Sequence, residues 1–313
     1  MQELTHLHIT PLKGNNKAPI KRDTLHVTTN DPNGGTMNKT AARATRSVVA
    51  ALASLAVATT VAAGAASASS VHVPGKYASG IRMAMDASYP PDEFIQNGHI
   101  VGFDADLGQA LGKVMGVKVT MVDATFDTII PGIVDGKFDI GNSSFTDTKA
   151  REGQVEFIDY FRAGEGFYER ANSTHSYNGL KALCGHTVAV ETGTTEQSDA
   201  QTQAKSCHVS VLSYADQNQA NLAVSDGRAD LGFADSQVAA YIVHLSRGQF
   251  KLTGTPFSTA PYGFIVAKNS GLAQPLLAAF KAIMANGQYK KILDKWGVQQ
   301  GAITNPSINE ATS

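Results

Sequence analysis

Asp104-Ala105-Asp106-Leu107-Gly108-Gln109-Ala110-Leu111-Gly112-Lys113-Val114-Met115-Gly116-Val117-Lys118-Val119-Thr120-Met121-Val122 decides the fold class. Leu107, Ala110, Leu111 and Val114 fall at i, i+3, i+4 and i+7, which lays one apolar stripe along a helix from Asp104 to Met115. Gly116 stops it, and Val117 to Val122 follows as a strand. Upstream, Ile81-Arg82-Met83-Ala84-Met85-Asp86 reads as a strand ending in an acid. Strand, helix, strand is a βαβ unit, which implies a parallel sheet with helices on its faces.

The alternation continues in both directions. Thr128 to Val134 is a short helix closed by Gly136, Phe138-Asp139-Ile140 a third strand, and Val155 to Tyr160 a fourth. A second set begins after residue 180. Strands at Thr187–Glu191, Val209–Tyr214 and Ala229–Ala234 alternate with helices at Thr195–Lys205, Gln217–Val224 and Ser236–Ser246. Tyr262 to Ala267 is a returning strand, and Leu272–Ala285 and Tyr289–Trp296 are closing helices. Two α/β units with a late return segment predict two lobes and a cleft, with ligands at the carboxyl ends of strands.

Length and composition agree with this reading. The chain has 313 residues, 42% hydrophobic and 17% charged, enough for about two domains with a packed core. A net charge of −1 gives no basis for nucleic-acid binding. The first 68 residues differ from the rest. Residues 1–36 are polar and aperiodic, and translation from Met37 would leave them outside the protein. After Met37 come Lys39, Arg43 and Arg46, then 17 uncharged residues from Ser47 to Ala63, then Ala66-Ser67-Ala68. That is the layout of a secretory signal peptide over residues 37–68. The rival, a membrane-spanning helix, needs roughly 20 apolar residues and no cleavage site. No cysteine near the cleavage site offers a lipid anchor, and Arg43 and Arg46 are not a twin-arginine pair. Residues 69–313 then carry 19 basic against 24 acidic residues, net −5. For an exported protein, Cys184 and Cys207 are expected to form one disulfide. The rival is a metal pair with His186 and His208.

Polar groups gather at five strand ends: Asp86 to Pro91, Ala124 to Asp127, Asn142 to Arg151, Glu191 to Glu196, and Phe233 to Ser236. The third and fourth put small hydroxyl residues before a helix, where free N–H groups favour an anion. Plain capping competes, because Thr194 and Gln197 fit a capping box. Arg151 offers a bidentate carboxylate clamp, with a surface ion pair as its alternative. Asp235 reads equally as a helix cap, and Tyr89 and Phe126 as core aromatics. No Gly-x-Ser-x-Gly, His-Glu-x-x-His or phosphate-loop motif is present, so no catalytic residue, cofactor or metal is expected.

In order, Tyr89-Pro90-Pro91, Gly102 to Leu107, Phe126 to Pro131, Gly136 to Asp139, Ser143 to Glu152, Val188 to Thr195, Gly227 to Asp230 with Asp235, and Tyr289 to Gly297 resemble one family. It is the extracytoplasmic amino-acid-binding proteins of ABC importers, the polar amino acid family (family 3 solute-binding proteins). The resemblance covers about residues 78–300. It implies an α/β, two-lobed, periplasmic-binding-protein-like clamshell of type II, each lobe a mostly parallel sheet flanked by helices. Lobe 1 would be 69–165 plus 258–313 and lobe 2 166–257, with crossings near Ala163–Phe167 and Phe257–Pro261. By position, Arg151 looks like the carboxylate clamp, helped by Ser144, Thr146 and the backbone at Thr195, with Ser143 and Gly193 also among the ligand-binding residues. Asp235 looks like the ammonium partner, Tyr89 and Phe126 the aromatic walls, and Asp86 and Glu191 the readers of the side-chain tip. Asp92 departs from the aromatic that the family often carries after the two prolines. Two acids at the tip favour a free amino acid with a cationic or amide side chain.

The implied function is capture of that amino acid by hinge closure and delivery to an ABC membrane permease, by an exported, periplasmic or extracellular monomer. Two alternatives share the fold. One is an exported enzyme resembling the dehydratases of aromatic precursors, whose zwitterion site could be altered. The other is a ligand-sensing protein, for which a membrane helix and signalling domain would be expected after residue 300. The chain instead ends in the polar stretch Gly301 to Ser313.

Overall fold

Along the chain the elements are β1 (Ile81–Met85), β2 (Ser88–Tyr89), β3 (Glu93–Gln96), β4 (His99–Val101), α1 (Phe103–Met115), β5 (Val119–Asp123), α2 (Phe126–Val134), β6 (Ile140–Gly141), α3 (Lys149–Glu152) and β7 (Val155–Arg170). They continue as β8 (Thr187–Glu191), α4 (Thr195–Ala204), β9 (Ser210–Tyr214), α5 (Gln217–Ser225), β10 (Leu231–Asp235), α6 (Ser236–Leu245), β11 (Phe250–Ala267), α7 (Ala273–Ala285) and α8 (Gln288–Trp296). The structure is a computed structural model that describes residues 71–311. The predicted signal segment 37–68 and the stretch 1–36 lie outside those residues.

The main sheet runs β5-β1-β6-β11-β7-β10-β8-β9. β1 is parallel to β5 and β6, and β8 to β9 and β10, as the βαβ reading requires. The antiparallel pair β7 and β11 passes through both lobes. Residues 155–163 of β7 pair with 260–267 of β11 in lobe 1, and 167–170 pair with 250–253 in lobe 2. Between these blocks β11 slips register at Thr253/Phe257 and Phe257/Ala260. Ser258 there has φ +51. A Cβ on Gly164 would lie 2.6 Å from the Phe257 carbonyl oxygen. Bulges bend and twist a strand pair, and these sit at the waist between the lobes.

Each lobe buries both faces of its half-sheet. In lobe 1, Leu107, Leu111, Leu276, Phe280 and Leu293 from α1, α7 and α8 cover one face, and Ile129 and Ile133 of α2 cover the other. In lobe 2, Ala220, Val224, Val238 and Ile242 of α5 and α6 oppose Ala200 of α4 and Leu183. Tyr89, from lobe 1, packs into the α5–α6 side of lobe 2.

Three expectations shift. The strands predicted at Val155–Tyr160 and Tyr262–Ala267 are the lobe 1 halves of β7 and β11. Gly164 and Glu165 interrupt the apolar pattern because they line the chamber at the waist, and Arg162 does so because it is exposed. The strand predicted at Phe138–Ile140 is Ile140–Gly141. Phe138 instead packs on Gly132, and Asp139 pairs with Arg82 at 2.8 Å. The antiparallel sheet β2-β3-β4 went unread because Glu93, Gln96 and His99 obscure its alternation. Cys184 and Cys207 form the expected disulfide, Cα–Cα 5.6 Å, tying the turn before β8 to the end of α4. Among the described residues no cluster suited to a metal ion is present.

Candidate functional site

Carboxyl ends of strands from both lobes meet at one slot, lined by Asp86, Tyr89, Phe126, Ser143, Ser144, Thr146, Arg151, Glu191, Thr194, Thr195, Glu196 and Asp235. In this closed arrangement it has room for about one water, ≈ 10 Å³. A ligand of amino-acid size does not fit that volume as it stands. A wider chamber of ≈ 570 Å³ adjoins it on the waist side, sharing Thr146, Arg151, Thr194, Thr195 and Asp235.

Arg151 rises from α3, a single turn capped by Thr148, whose hydroxyl accepts from the Arg151 amide at 3.3 Å. Its guanidinium donates to the Thr146 carbonyl at 2.8 Å and, across the cleft, to the Gly193 carbonyl at 3.0 Å. It lies 5.5 Å above the Phe126 ring and 5.7 Å from the Phe145 ring, and those rings stack on each other. Among the described residues no carboxylate reaches salt-bridge distance of it, so the surface-ion-pair alternative is not realised. Burial pulls its pKa down, and the charges of Glu196, Asp235 and Asp147 oppose this. A charged fork with spare donors, stacked on an aromatic face and short of an anion, suits a ligand carboxylate.

Asp235 closes β10 opposite that fork. It is buried, and it precedes α6 without capping it through its side chain. The Tyr89 hydroxyl donates to Asp235 Oδ2 at 3.0 Å, and the Asp235 amide donates back to the Tyr89 hydroxyl at 3.0 Å. Glu196, in the first turn of α4, is also buried and contacts the Asp235 carboxyl. Burial and then the charge of Glu196 hold Asp235 well above the usual carboxylate range. Two buried carboxyls in contact need either a shared proton or a cation between them.

The far end repeats this arrangement. Asp86 follows β1 and accepts from the amides of Ser88 (3.1 Å) and Phe126 (2.9 Å). Glu191 ends β8, 2% exposed, with Oε1 lacking any partner. Burial, then the neighbouring Asp86, raises the Glu191 pKa; burial likewise raises that of Asp86, whose carboxyl contacts Glu191. Around one slot therefore stand four buried carboxyls, in two pairs, and one guanidinium.

Beneath the lobe 1 wall lies a further layer of acids. Ser143 Oγ donates to Glu93 at 2.5 Å, and Ser144 Oγ donates to Asp92 at 2.8 Å. The Ser144 amide and the Tyr160 hydroxyl each donate to Asp104 at 2.8 Å. Asp92 thus fills a buried hydrogen-bonding position where an aromatic was expected.

Of the residues singled out from sequence, ten line the slot. Gly193 lines the adjoining chamber instead and gives its carbonyl to Arg151. Its φ of +86 suits glycine, and a Cβ would stand 2.9 Å from the Asp127 Cβ in lobe 1. Thr194 caps α4 by accepting from the Gln197 amide at 3.1 Å, but Gln197 Oε1 accepts from the Gly193 amide at 2.8 Å, one residue before a standard box. Thr194 and Glu196 were missed as lining residues. An acid in a first helical turn reads as a partner for the dipole, and only its place beside Thr195 at a strand end hints at more.

The sequence profile described as Bacterial extracellular solute-binding proteins, family 3, matches residues 81–299. The chain is 33% identical over 230 residues to the arginine-binding protein ArgT of Corynebacterium glutamicum, covering 71% of this chain and 75% of that one. It superposes on an ancestral arginine-binding protein bound to arginine with TM-score 0.66 and 35% identity, covering 69% of this chain and 97% of the other. An ancestral arginine-binding protein bound to glutamine gives TM-score 0.66 and 34% identity, with 70% and 97% covered.

Proposed function

Because the chain belongs to the bacterial extracellular solute-binding proteins of family 3, we propose that it grips the zwitterion of a polar amino acid between Arg151 and Asp235 and prefers a cationic side chain. The protein is an extracytoplasmic binding component that carries an amino acid to an ABC importer; it is not an enzyme. In this reading residues 37–68 are the export signal, and lobes 69–165 plus 258–313 and 166–257 close about the ligand.

The observation that carries the side-chain preference is the pairing of buried carboxyls at each end of the slot. Arg151, Thr146 and Thr195 take the α-carboxylate. Asp235, with Glu196 beside it, takes the α-ammonium. Tyr89 and Phe126 flank the aliphatic stem, and Asp86 with Glu191 takes the tip. Burying carboxylates without compensation is costly, and a guanidinium or ammonium at the tip supplies the missing charge. An amide supplies only hydrogen bonds, and a carboxylate tip is repelled. The relatives' ligands, arginine and glutamine, span the first two cases. Clamp and ammonium partner come from different lobes, so a bridging ligand binds the closed state better and shifts the population toward it.

A thermal-shift panel of the twenty amino acids tests this, since a ligand raises stability by RT ln(1 + [L]/Kd). Arginine, lysine or ornithine should give the largest shift. A largest shift from an acidic or apolar amino acid would overturn the assignment.

A further inference from the structure

We propose that Asp92 is a positioning residue that couples the ligand-facing wall of lobe 1 to closure of lobe 2. The inference goes beyond the residue roles above and rests on the closure reading.

Ser144 lines the slot with φ +48, a left-handed conformation that a serine keeps only when its surroundings impose it. Two carboxyls impose it. Asp104 accepts from the Ser144 amide and Asp92 Oδ2 from its hydroxyl, each at 2.8 Å. The same Asp92 Oδ2 accepts a second bond, 2.8 Å, from Gln237 Nε2 on α6 of lobe 2. Both residues are buried, Asp92 at 1% and Gln237 at 6% exposed. One carboxylate oxygen therefore receives a donor from each lobe.

Asp92 is poorly able to adapt if that geometry changes. Its amide donates to the Tyr89 carbonyl, and its carbonyl accepts from the Asp104 amide at the start of α1. Gly102 packs against it so closely that a Cβ would come within 2.1 Å of its carbonyl oxygen. Its other carboxylate oxygen, Oδ1, has no partner, nor has Gln237 Oε1. In the closed state the Gln237 bond is Asp92's sole hydrogen bond to lobe 2 among the described residues. When α6 withdraws, water replaces that bond; when the lobes shut, the bond reforms next to the serine that faces the ligand. Ligand and latch favour the same closed geometry, so each raises the population the other needs. The latch must also break before the lobes part, which places its effect in the dissociation rate.

The test uses Gln237→Leu, which removes the donor at similar volume and leaves the Ser144–Asp92 bond intact. Spin labels on exposed Asp135→Cys and Ser225→Cys report the distance between lobes without ligand. The closed fraction should fall in Gln237→Leu. Arginine should dissociate about tenfold faster or more, as expected for losing a hydrogen bond to a charged group, while association changes by less than about threefold. Asp92→Ala should do the same, and Gln237→Leu should then add nothing in that background. Unchanged distances and unchanged dissociation in Gln237→Leu, or equal further losses in the Asp92→Ala background, overturn the proposal. The distance measurement needs no ligand, so a wild-type protein that binds no amino acid defeats the function reading while a latch-dependent closed population still supports this one.

Discussion

Replacing Arg151 by alanine separates binding from folding. The guanidinium donates to two backbone carbonyls, Thr146 in lobe 1 and Gly193 in lobe 2, and rests on the Phe126 ring. Among the described residues it has no acidic partner within salt-bridge distance, and burial already disfavours its charge. Deleting it breaks no salt bridge among the described residues, though Glu196 loses a neighbouring positive charge, and the loss of two hydrogen bonds is partly offset by removing a desolvated cation. Stability should change by no more than about 1 kcal/mol, in line with ordinary net hydrogen-bond contributions. Binding should suffer far more. The ligand carboxylate loses both charge-assisted bonds in a closed site, and truncating one member of a buried ion pair costs about 2–5 kcal/mol. At about 1.4 kcal/mol per factor of ten, arginine affinity should drop by roughly 30-fold to several thousand-fold. Arg151→Lys keeps the charge but not the fork and should fall between. Calorimetric titration gives the affinities, and urea unfolding the stability. Arginine affinity within tenfold of wild type in Arg151→Ala, with the fold intact, would refute the clamp.

Three further outcomes follow from the site. Glu191→Gln removes a buried, partnerless carboxylate oxygen; the ligand-free melting temperature should rise, while arginine binding weakens roughly 30-fold, at about 2 kcal/mol, and glutamine binding weakens less, as read by calorimetry. Gly193→Ala places a methyl 2.9 Å from Asp127 across the cleft at φ +86; it should raise the arginine Kd about tenfold, given about 1–2 kcal/mol for left-handed alanine, and an unchanged Kd would refute a tight closed state. Burial holds Asp104 and Asp159 up to about 8, so the native state binds protons that the unfolded chain has released above about pH 4. The stability these groups contribute is complete below that pH and is lost as pH rises to about 8; urea unfolding should find the ligand-free protein more stable at pH 5.5 than at pH 8.5.

Much of this architecture is readable from residue order. The stripe Leu107, Ala110, Leu111, Val114 and its glycine stop give α1, and the strand-end acids Asp86, Glu191 and Asp235 land at the slot because β-strands in α/β sheets present their carboxyl ends there. The waist was legible only as two positions. Glu165 stays in the ladder opposite Phe257, whereas Gly164 and Ser258 fall where the register slips, so only the lobe 1 halves of β7 and β11, Val155–Tyr160 and Tyr262–Ala267, read as strands. Glu196 escaped because local helix chemistry explains an acid at that place, whereas its burial against Asp235 depends on a contact between α4 and β10. Asp92 was noticed for its chemical oddity, but its partners Ser144 and Gln237 lie 52 and 145 residues away, a juxtaposition no periodicity carries.

The most direct test of a zwitterion clamp with an acidic tip pocket is a pair of calorimetric titrations at neutral pH, with L-arginine and with L-glutamate. Both ligands carry the same α-carboxylate and α-ammonium, so they differ only at Asp86 and Glu191. Saturable one-to-one binding of arginine, with glutamate weaker by at least about a hundredfold for a like charge facing two acids, is the predicted result. Glutamate binding as tightly as arginine, or more tightly, would contradict it.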